Sequence, residues 1–416
     1  MPASRRKSGE TGEGSARSKR RWLLRGVLAL TAAALGFWSV GSSLANALAK
    51  ANPARAHALS PGNAPVAARY AQDLFADRPS IDPHGVAAVV ARRALLDDPT
   101  AADALTVLAF QAQLRGERDK AAAIFRYSTK LSRRELRPRL WAIEEAVARG
   151  DIADALTHYD IALRTSRDAG AMLYPTLGAA TTQPRIRAGL VAVLATKPVW
   201  KDEFLDYVAK RRIAPEGLAA LLEEGRAKGL AATEDVRVQI IDALILEGKP
   251  DRAWSVYQGL REGARSEQSR DPAFAFAANA RSAFDWRAGE DSRLGAAILN
   301  DGDSGAIDFA VPPDSSGVLA QQSQLFAPGR YRLDGRSRGI KQTLSEQPYW
   351  TLICTDGREL GRVEVPSSAF NGGRFGGSFS IPQGCPVQQL QLVARPSSNV
   401  SGVSGQILFA QLRPVS

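Results

Sequence analysis

Apolar and polar residues form three different patterns along the chain, and each pattern predicts a different structure. Residues 26–49 contain no Asp, Glu, Lys or Arg, and a helix of that length, at ~1.5 Å per residue, spans the ~30 Å hydrocarbon core of a bilayer. From 68 to 269 apolar residues recur every three or four positions, which predicts packed helices. From 284 to 416 short alternating runs predict strands.

The sequence therefore predicts a multidomain α + β protein with an N-terminal transmembrane helix, an α-solenoid and a C-terminal antiparallel β-sandwich. Residues 50–67 are rich in Ala, Pro and Asn and show no apolar period, so we expect a linker there. Eight short strands at the observed spacing fit a sandwich, and a jelly roll is one form of it. The strands are expected near 307–311, 317–325, 331–336, 350–354, 360–365, 378–381, 389–394 and 406–412.

Three segments of the helical region share one spacing of small and aromatic residues. Each has Gly, then Ala five residues later, then Phe or Tyr after four more: Gly116, Ala121 and Phe125; Gly150, Ala155 and Tyr159; and Gly248, Ala253 and Tyr257. Glycine ends a helix where φ becomes positive. A small residue lets two helices cross closely, and an aromatic ring one turn later fills the groove. The spacing predicts repeated helical hairpins.

This framework resembles the tetratricopeptide repeat, whose unit is 34 residues long, because the first two sets are 34 residues apart. The match covers about 87–164 and returns near 235–261, with irregular helices between them. The resemblance implies a degenerate tetratricopeptide-like solenoid whose surface binds protein partners. An unrelated helical bundle is the alternative. Candidate residues for the exposed face of the first helices are Gln111, Gln113 and Arg139.

The net charge of +11 is concentrated at the N-terminus, where residues 1–25 carry eight Lys or Arg and two Glu. Basic residues remain on the cytoplasmic side of a membrane. We therefore expect 1–25 to be a cytoplasmic tail, 26–49 to cross the inner membrane once, and the bulk of the chain to be periplasmic. The remaining charge is dispersed, so no nucleic-acid partner is expected. Ala47-Leu48-Ala49 also fits a signal-peptidase site, so a cleaved export signal is the alternative.

The two cysteines of the chain, Cys354 and Cys385, both lie in the predicted sandwich. Outside the cytoplasm such a pair is most simply a disulfide, and two free buried thiols are the alternative. Closing a loop of this size would stabilise the domain by about 3–4 kcal/mol in the loop-entropy model.

Motifs for catalysis or cofactor binding are missing from the sequence. The three histidines, His57, His84 and His158, are far apart. The chain has no nucleophile elbow, no P-loop and no dinucleotide-binding glycine pattern. We expect no enzyme activity, no cofactor and no metal site.

Aromatic residues gather in the predicted sandwich, at Tyr331, Tyr349, Trp350, Phe370, Phe375 and Phe379. As a predicted β-sandwich rich in aromatic residues, the region resembles carbohydrate-binding modules, in which sugar rings stack on exposed aromatic rings. Neighbours on a strand point to opposite faces. Since Trp350 is in register with Leu352 and Cys354 and should be buried, Tyr349 is the candidate glycan contact.

Taken together, these features resemble a tetratricopeptide-repeat-like bacterial envelope protein with a carbohydrate-binding-module-like β-sandwich. The leading hypothesis is a non-enzymatic, membrane-anchored periplasmic scaffold that binds protein partners through its helical repeats, in surface-polysaccharide synthesis or export. The alternative is a glycan-binding protein that acts through the C-terminal sandwich.

Overall fold

The computed structural model describes residues 13–132, 134–277, 279–300, 302 and 304–415. The first twelve residues of the predicted basic tail lie outside this part. The chain divides into two compact units between Ala169 and Gly170. The first unit contains helices α1–α8, and α9 begins at the division. The second unit contains the later helices and all the described strands.

Fourteen α-helices occur in the described residues, all N-terminal to the strands. They are α1 Glu13–Leu48, α2 Pro53–Leu59, α3 Ala64–Asp77, α4 Val86–Asp97, α5 Ala102–Leu114, α6 Arg118–Leu131, α7 Leu136–Ala148, α8 Ile152–Thr165, α9 Ala169–Ala179, α10 Pro184–Ala195, α11 Lys201–Lys210, α12 Pro215–Arg226, α13 Glu234–Leu246 and α14 Pro250–Leu260.

Helix α1 contains the predicted membrane segment. By length and composition Arg25–Leu48 could cross a membrane, since it includes an 18-residue window with a mean hydropathy of 1.6 and no buried residue. Length and composition alone are weak evidence, because an N-terminal signal sequence has the same properties. The end of the helix is packed, however: Ala45 is buried in a small apolar cluster with Ala56 of α2 and Val66 of α3.

Residues 50–67, predicted as a linker, are an ordered connection that contains α2 and the start of α3. The Asn52 side chain caps α2 by accepting a hydrogen bond from the Arg55 N–H at 3.0 Å. In the same way Asn63 caps α3 through the Val66 N–H at 3.3 Å. The Asn and Pro residues that suggested a linker are therefore helix-start residues. A helix of seven residues is too short to show an apolar period.

The helices of the first unit pack mainly through alanine and a few aromatic rings. Phe125 of α6 is fully buried. Its ring lies 4.9 Å from that of Phe110 in α5 and 4.6 Å from that of Trp141 in α7. One ring therefore joins three successive helices, while alanines such as Ala109 and Ala121 allow their close approach.

Ten strands follow in the second unit and form two five-stranded antiparallel sheets. We call β1-β4-β9-β6-β7 sheet A and β2-β3-β10-β5-β8 sheet B. The strands are β1 Arg287–Ala288, β2 Ala296–Asn300, β3 Gly305–Val311, β4 Gly317–Gln324, β5 Gly329–Arg338, β6 Tyr349–Cys354, β7 Glu359–Glu364, β8 Arg374–Ile381, β9 Gln388–Ala394 and β10 Val403–Pro414.

The eight predicted strands correspond to β3–β10, and β1 and β2 were not predicted. The two additional strands lack a sequence signal, because β1 has only two residues and β2 reads Ala-Ala-Ile-Leu-Asn without polar alternation. Both sheets contribute to one apolar core, with Phe309 from sheet B and Trp350 from sheet A among its buried side chains. Cys354 and Cys385 form a disulfide with a Cα–Cα distance of 5.5 Å.

The predicted boundary between helices and strands, 269–284, lies inside the second compact unit. The hydroxyl of Tyr257 in α14 donates to Asp285 at 2.8 Å, and Arg287 of β1 forms an ion pair with Asp242 of α13. Helix α14, which carries the third repeat set, is therefore joined to the β region by polar contacts.

Arg270 strengthens this junction. Its guanidinium lies over the rings of Trp254 and Phe284, 5.4 and 5.6 Å from their centroids. Its Nε donates to the Phe284 carbonyl at 3.0 Å. Burial lowers the pKa of Arg270 to about 10. A buried cation held by two aromatic rings and a carbonyl is a structural feature of this junction.

Candidate functional site

The nine residues of the repeat framework lie at equivalent places in three helical hairpins. Gly116, Gly150 and Gly248 follow α5, α7 and α13 with φ of 80°, 71° and 72°. The alanines and aromatic residues of the three sets are buried: Ala121, Ala155, Ala253, Phe125, Tyr159 and Tyr257. These residues shape the hairpins, and their burial makes them framework residues and not ligand contacts.

Two of the three residues expected on the exposed face are buried, so that expectation was wrong for them. Gln111 donates from Nε2 to the carbonyls of Ser80 and Asp82 at 3.2 and 2.6 Å and thereby holds the loop before α4. Nη1 of Arg139 lies 3.4 Å from Nδ1 of His158. Only Gln113 is exposed among the three. Polar side chains on these helices satisfy neighbouring backbone and imidazole groups.

An exposed apolar stripe lies instead on α4. Val86, Val89 and Leu96 are 67, 49 and 78% exposed. At ~100° per residue they fall within roughly 80° of one another around the helix. The opposite side of α4 buries Ala91 and Ala94. The sequence spacing 86, 89, 96 carries this signal, which the repeat framework does not include.

A carboxyl pair joins α5 to the start of α7. Burial and a hydrogen bond with Asp103 raise the pKa of Glu135 to about 8. Asp103 also accepts a hydrogen bond from Nε2 of Gln72 at 3.0 Å. Asp103 therefore connects Gln72 of α3 with Glu135 before α7 through side-chain hydrogen bonds, which is a structural role. In the described part of the chain no group of three or more His, Cys, Asp or Glu could hold a metal ion.

Tyr349, the candidate glycan contact, opens β6 in sheet A and is half-buried, whereas its neighbour Trp350 is fully buried. The Tyr349 ring lies under two cations: the guanidinium carbons of Arg362 and Arg395 are 4.6 and 4.4 Å from its centroid. A sugar that stacked on this ring would have to displace one of these guanidinium groups.

Each of the two arginines also has a carboxylate partner. Arg362 binds Glu359 through two nitrogens, with Nη2 at 2.9 Å from Oε2. Arg395 binds Glu364 in the same bidentate manner, at 2.5 and 2.7 Å. These hydrogen bonds raise the pKa of both arginines and lower that of Glu359. The charges around Tyr349 are therefore balanced within the protein.

A row of amides lies beside Tyr349 on the same sheet. Gln391 of β9 donates from Nε2 to Gln389 at 2.9 Å and to Gln321 of β4 at 3.3 Å. All three side chains are half-exposed. Amides, a phenol and two guanidinium groups on one face of a sheet offer many directed hydrogen-bond donors and acceptors. We call Tyr349 and these three glutamines the Tyr349 face.

Most of the other aromatic residues of the β region are buried. Trp350 and Phe379 are almost fully enclosed, and Tyr331 and Phe375 are nearly so. Phe370 is the exception, since it is 73% exposed. It precedes the short turn Asn371–Gly373 that leads into β8.

Comparison with known proteins gives no family for the chain. No protein-family model matches it, and no curated protein matches it. Among solved structures it is similar to the enzymatically active domain of tailspike protein 4 of bacteriophage CBA120, with 16% identity over 29% of this chain and 18% of that chain and a TM-score of 0.21.

Two further similar structures are of different kinds. The carbohydrate-binding module TmCBM61, solved with β-1,4-galactotriose, has 15% identity over 36% of this chain and 100% of that chain, with a TM-score of 0.25. Pseudomonas aeruginosa PilF has 21% identity over 48% of this chain and 93% of that chain, with a TM-score of 0.24. These TM-scores are too low to carry an argument about fold or function.

Proposed function

We propose that the protein is a non-enzymatic, membrane-anchored envelope protein whose helical region binds a protein partner. The observation that carries this proposal is the exposed stripe of Val86, Val89 and Leu96 on α4. Large apolar side chains exposed on one side of a helix favour a protein contact, and the exposed Arg93 lies between Val89 and Leu96 on this side. The stripe lies in the same compact unit as α1, so a bound partner would be held close to the anchor.

The repeated hairpins support a tetratricopeptide-like solenoid as the architecture of this surface. Glycine ends the first helix of three hairpins in the left-handed conformation, and small and aromatic residues are buried at the same offsets. Solenoids of this kind present extended surfaces to peptides and proteins. Surface-polysaccharide synthesis or export is the setting that we propose for such a scaffold.

The packing of α1 favours a retained anchor over a cleaved signal. Cleavage after Ala49 would remove Ala45 from its buried cluster and expose Ala56 and Val66. The disulfide between Cys354 and Cys385 supports an oxidising compartment for the β region. These features support the proposed cytoplasmic N-terminus and periplasmic bulk. Intact-mass measurement on protein from native membranes tests retention, and a mature chain beginning at Lys50 would contradict it.

The stripe is tested by photo-cross-linking from position 89 in native membranes. We expect one discrete adduct, which disappears when Val86→Gln and Leu96→Gln are introduced together. The matched control is the pair Val199→Gln and Val400→Gln, which removes equally exposed apolar side chains elsewhere and should leave the adduct intact. No adduct, or one that is insensitive to the stripe variant, would remove this function.

Glycan binding is the second candidate function, and the Tyr349 face is the observation that favours it. The strand order is that of a jelly roll, because β3, β5, β8 and β10 share sheet B while β4, β6, β7 and β9 share sheet A. This order supports a sandwich of the carbohydrate-binding type.

The glycan function is tested with the full chain on an array of neutral glycans. We expect Tyr349→Ala or Gln391→Ala to weaken a bound glycan by about tenfold, the equivalent of ~1.4 kcal/mol. Tyr127→Ala, at an exposed tyrosine on α6, is the control and should have no effect. Binding to no glycan would eliminate the Tyr349 face as a site.

A further inference from the structure

Sheet B carries a row of arginines on its outer side that belongs to neither proposed surface. Along β5 exposed and buried residues alternate, so that every second side chain points outward. The buried positions are Tyr331, Leu333, Gly335 and Ser337, and the outward arginines are Arg330, Arg332, Arg336 and Arg338. The sequence shows this alternation, although it was interpreted only as a strand.

Some of these arginines have partners within the sheet. Arg332 binds Asp334 at 2.8 Å, and Arg338 binds the Gln406 amide oxygen at 3.0 and 2.6 Å. Arg336 and Arg374, in contrast, have no ion pair or hydrogen bond to any described side chain, and both are exposed. The sheet therefore leaves two guanidinium groups without a counter-charge.

The two unpaired arginines are direct neighbours. Arg336 on β5 is the register partner of Arg374 on β8. Side chains at opposed positions on one face of an antiparallel pair are close together, and like charges there are destabilising. Among the described residues no carboxylate pairs with either arginine, and Asp334, the neighbouring outward carboxylate on β5, is bound by Arg332 and Arg413. A bound anion would relieve this repulsion, because two adjacent guanidinium groups can together hold one carboxylate through several charge-assisted hydrogen bonds.

A concavity of about 700 Å³ lies at this pair, within the range of small-ligand sites. Besides Arg336 and Arg374, its walls include Asn371, Leu408 and Phe409. The next outward position on β8 after Arg374 is Gly376, which lies opposite Asp334, and the Asp334 carboxylate and the Arg332 guanidinium cover it. Exposed Phe370 precedes Asn371 in the chain. Cations, an amide, apolar carbons and the carboxylate of Asp334 thus meet at one place.

We infer that Arg336 and Arg374 bind a carboxylate of an acidic polysaccharide, and that the remaining arginines of β5 follow the chain along sheet B. Outward residues of a strand recur about every 6.8 Å, so the row presents repeated charges to a repeating polyanion, with Asp334 between Arg332 and Arg336 as its one carboxylate among the described residues. Leu408 and Phe409 offer apolar contact to sugar carbons, and Asn371 offers hydrogen bonds to hydroxyls. This inference rests on the second proposed function, glycan binding, but assigns it to a different sheet and an acidic ligand.

A polysaccharide fits this site better than other polyanions. The disulfide of the same β region favours an oxidising compartment, where nucleic acid is not the usual polyanion. Binding to an anionic membrane surface would be strengthened by several exposed large apolar side chains around the arginines, but Phe370 stands alone there among the described residues.

The test measures the affinity of the full chain, in a neutral detergent, for polygalacturonate, with dextran as the uncharged control. We expect polygalacturonate to bind and dextran not to bind. The double variant Arg336→Gln and Arg374→Gln should weaken binding by about a hundredfold, the size of two lost charge-assisted contacts. The salt dependence should also fall, by roughly one unit of slope per arginine. Arg336→Lys with Arg374→Lys keeps the charge but loses the bidentate geometry, and should give an intermediate loss.

The matched control is Arg118→Gln with Arg185→Gln, which removes the same charge at two exposed arginines on the helices. Equal weakening in both double variants would overturn the inference, because only net charge would matter. Binding of poly(U) RNA or phosphatidylglycerol vesicles that depends on Arg336 and Arg374, without polygalacturonate binding, would also overturn it.

Tyr349→Ala distinguishes this inference from the function on which it rests. If the arginine pair is the site, Tyr349→Ala leaves polygalacturonate binding unchanged. Loss with Tyr349→Ala but not with the arginine variant would overturn the arginine site and leave glycan binding in place. Binding to neither polygalacturonate nor any neutral glycan would contradict both the arginine site and the glycan-binding function.

Discussion

The outer faces of the two β sheets both carry arginines, but the two sets of arginines differ in whether they have carboxylate partners. On sheet A, Arg362 and Arg395 each lie over Tyr349 and bind a glutamate through two nitrogens. On sheet B, Arg336 and Arg374 oppose each other across β5 and β8, and neither has a carboxylate partner among the described residues. Glutamates neutralise the charge of the first pair of arginines, whereas no described carboxylate neutralises the second. This difference points to different uses of the two pairs.

This difference separates arginines that stabilise the fold from arginines that are available to a ligand. A bidentate glutamate fixes a guanidinium in place and occupies its donors. An unpaired guanidinium beside another cation costs stability, which proteins commonly accept at binding sites. By this criterion the arginines around Tyr349 support the sheet, and Arg336 and Arg374 of sheet B are available to an anion.

The largest expected effect concerns the disulfide, which connects the end of β6 to the segment before β9 and so fastens sheet A alone. Replacing both cysteines, Cys354→Ala and Cys385→Ala, should lower the free energy of unfolding of the second unit by about 3–4 kcal/mol. Urea unfolding of the full chain, followed by tryptophan fluorescence, measures this loss. Reduction of the unmodified protein should give the same shift, and a loss below about 1 kcal/mol would show that the loop-entropy estimate does not apply.

The second prediction contrasts the two faces directly. Glu364→Gln removes the partner of Arg395 and should destabilise the fold by about 1 kcal/mol, the size expected for a partly exposed bidentate pair. Arg336→Gln should be neutral or stabilise by a few tenths of a kcal/mol, about the size of one relieved cross-strand repulsion. Equal destabilisation by the two variants, measured by urea unfolding, would mean that the arginines on both faces stabilise the fold.

The smallest effect is a pH dependence confined to sheet A. Hydrogen bonds from Arg362 hold the pKa of Glu359 below its usual 4.5. In the window just below pH 4.5 the unfolded chain binds this proton more readily than the folded one, so stability falls as pH decreases. The stability difference between the unmodified protein and Glu359→Gln should therefore be full at neutral pH and shrink in acid.

A matched variant on the other sheet completes this test. The effect of Arg336→Gln should not change through the same acid window, because no carboxylate in the described part of the chain pairs with Arg336. A parallel acid dependence in both variants would contradict the contrast between the two faces.

The elements of the fold that could be predicted from sequence are those with a local signal. Alternation located eight strands, and the Gly-Ala-aromatic spacing located three hairpins, because both patterns follow from the geometry of a single element. The two cysteines could be paired because the chain has no others. Helix α2 could not be predicted, since seven residues with Asn and Pro at their start resemble a turn.

The features that the sequence analysis missed depend on partners distant in the chain. Gln111 appeared to be a surface residue, yet it binds carbonyls about thirty residues earlier. The partners of Tyr349 come from β7 and from the end of β9, so its availability to a sugar could not be judged from β6. The arginine alternation on β5 was visible, but the opposition of Arg336 and Arg374 depends on strand register, which sequence alone does not determine.

The most direct test of the contrast between the faces is arginine labelling by phenylglyoxal on the full chain, mapped by mass spectrometry with and without polygalacturonate. We expect Arg336 and Arg374 to react rapidly in the free protein and to be protected by the polysaccharide, while Arg362 and Arg395 react slowly in both states. Protection at Arg362 and Arg395 instead, or equal reactivity of all four without protection, would contradict the assignment of the unpaired arginines to ligand binding.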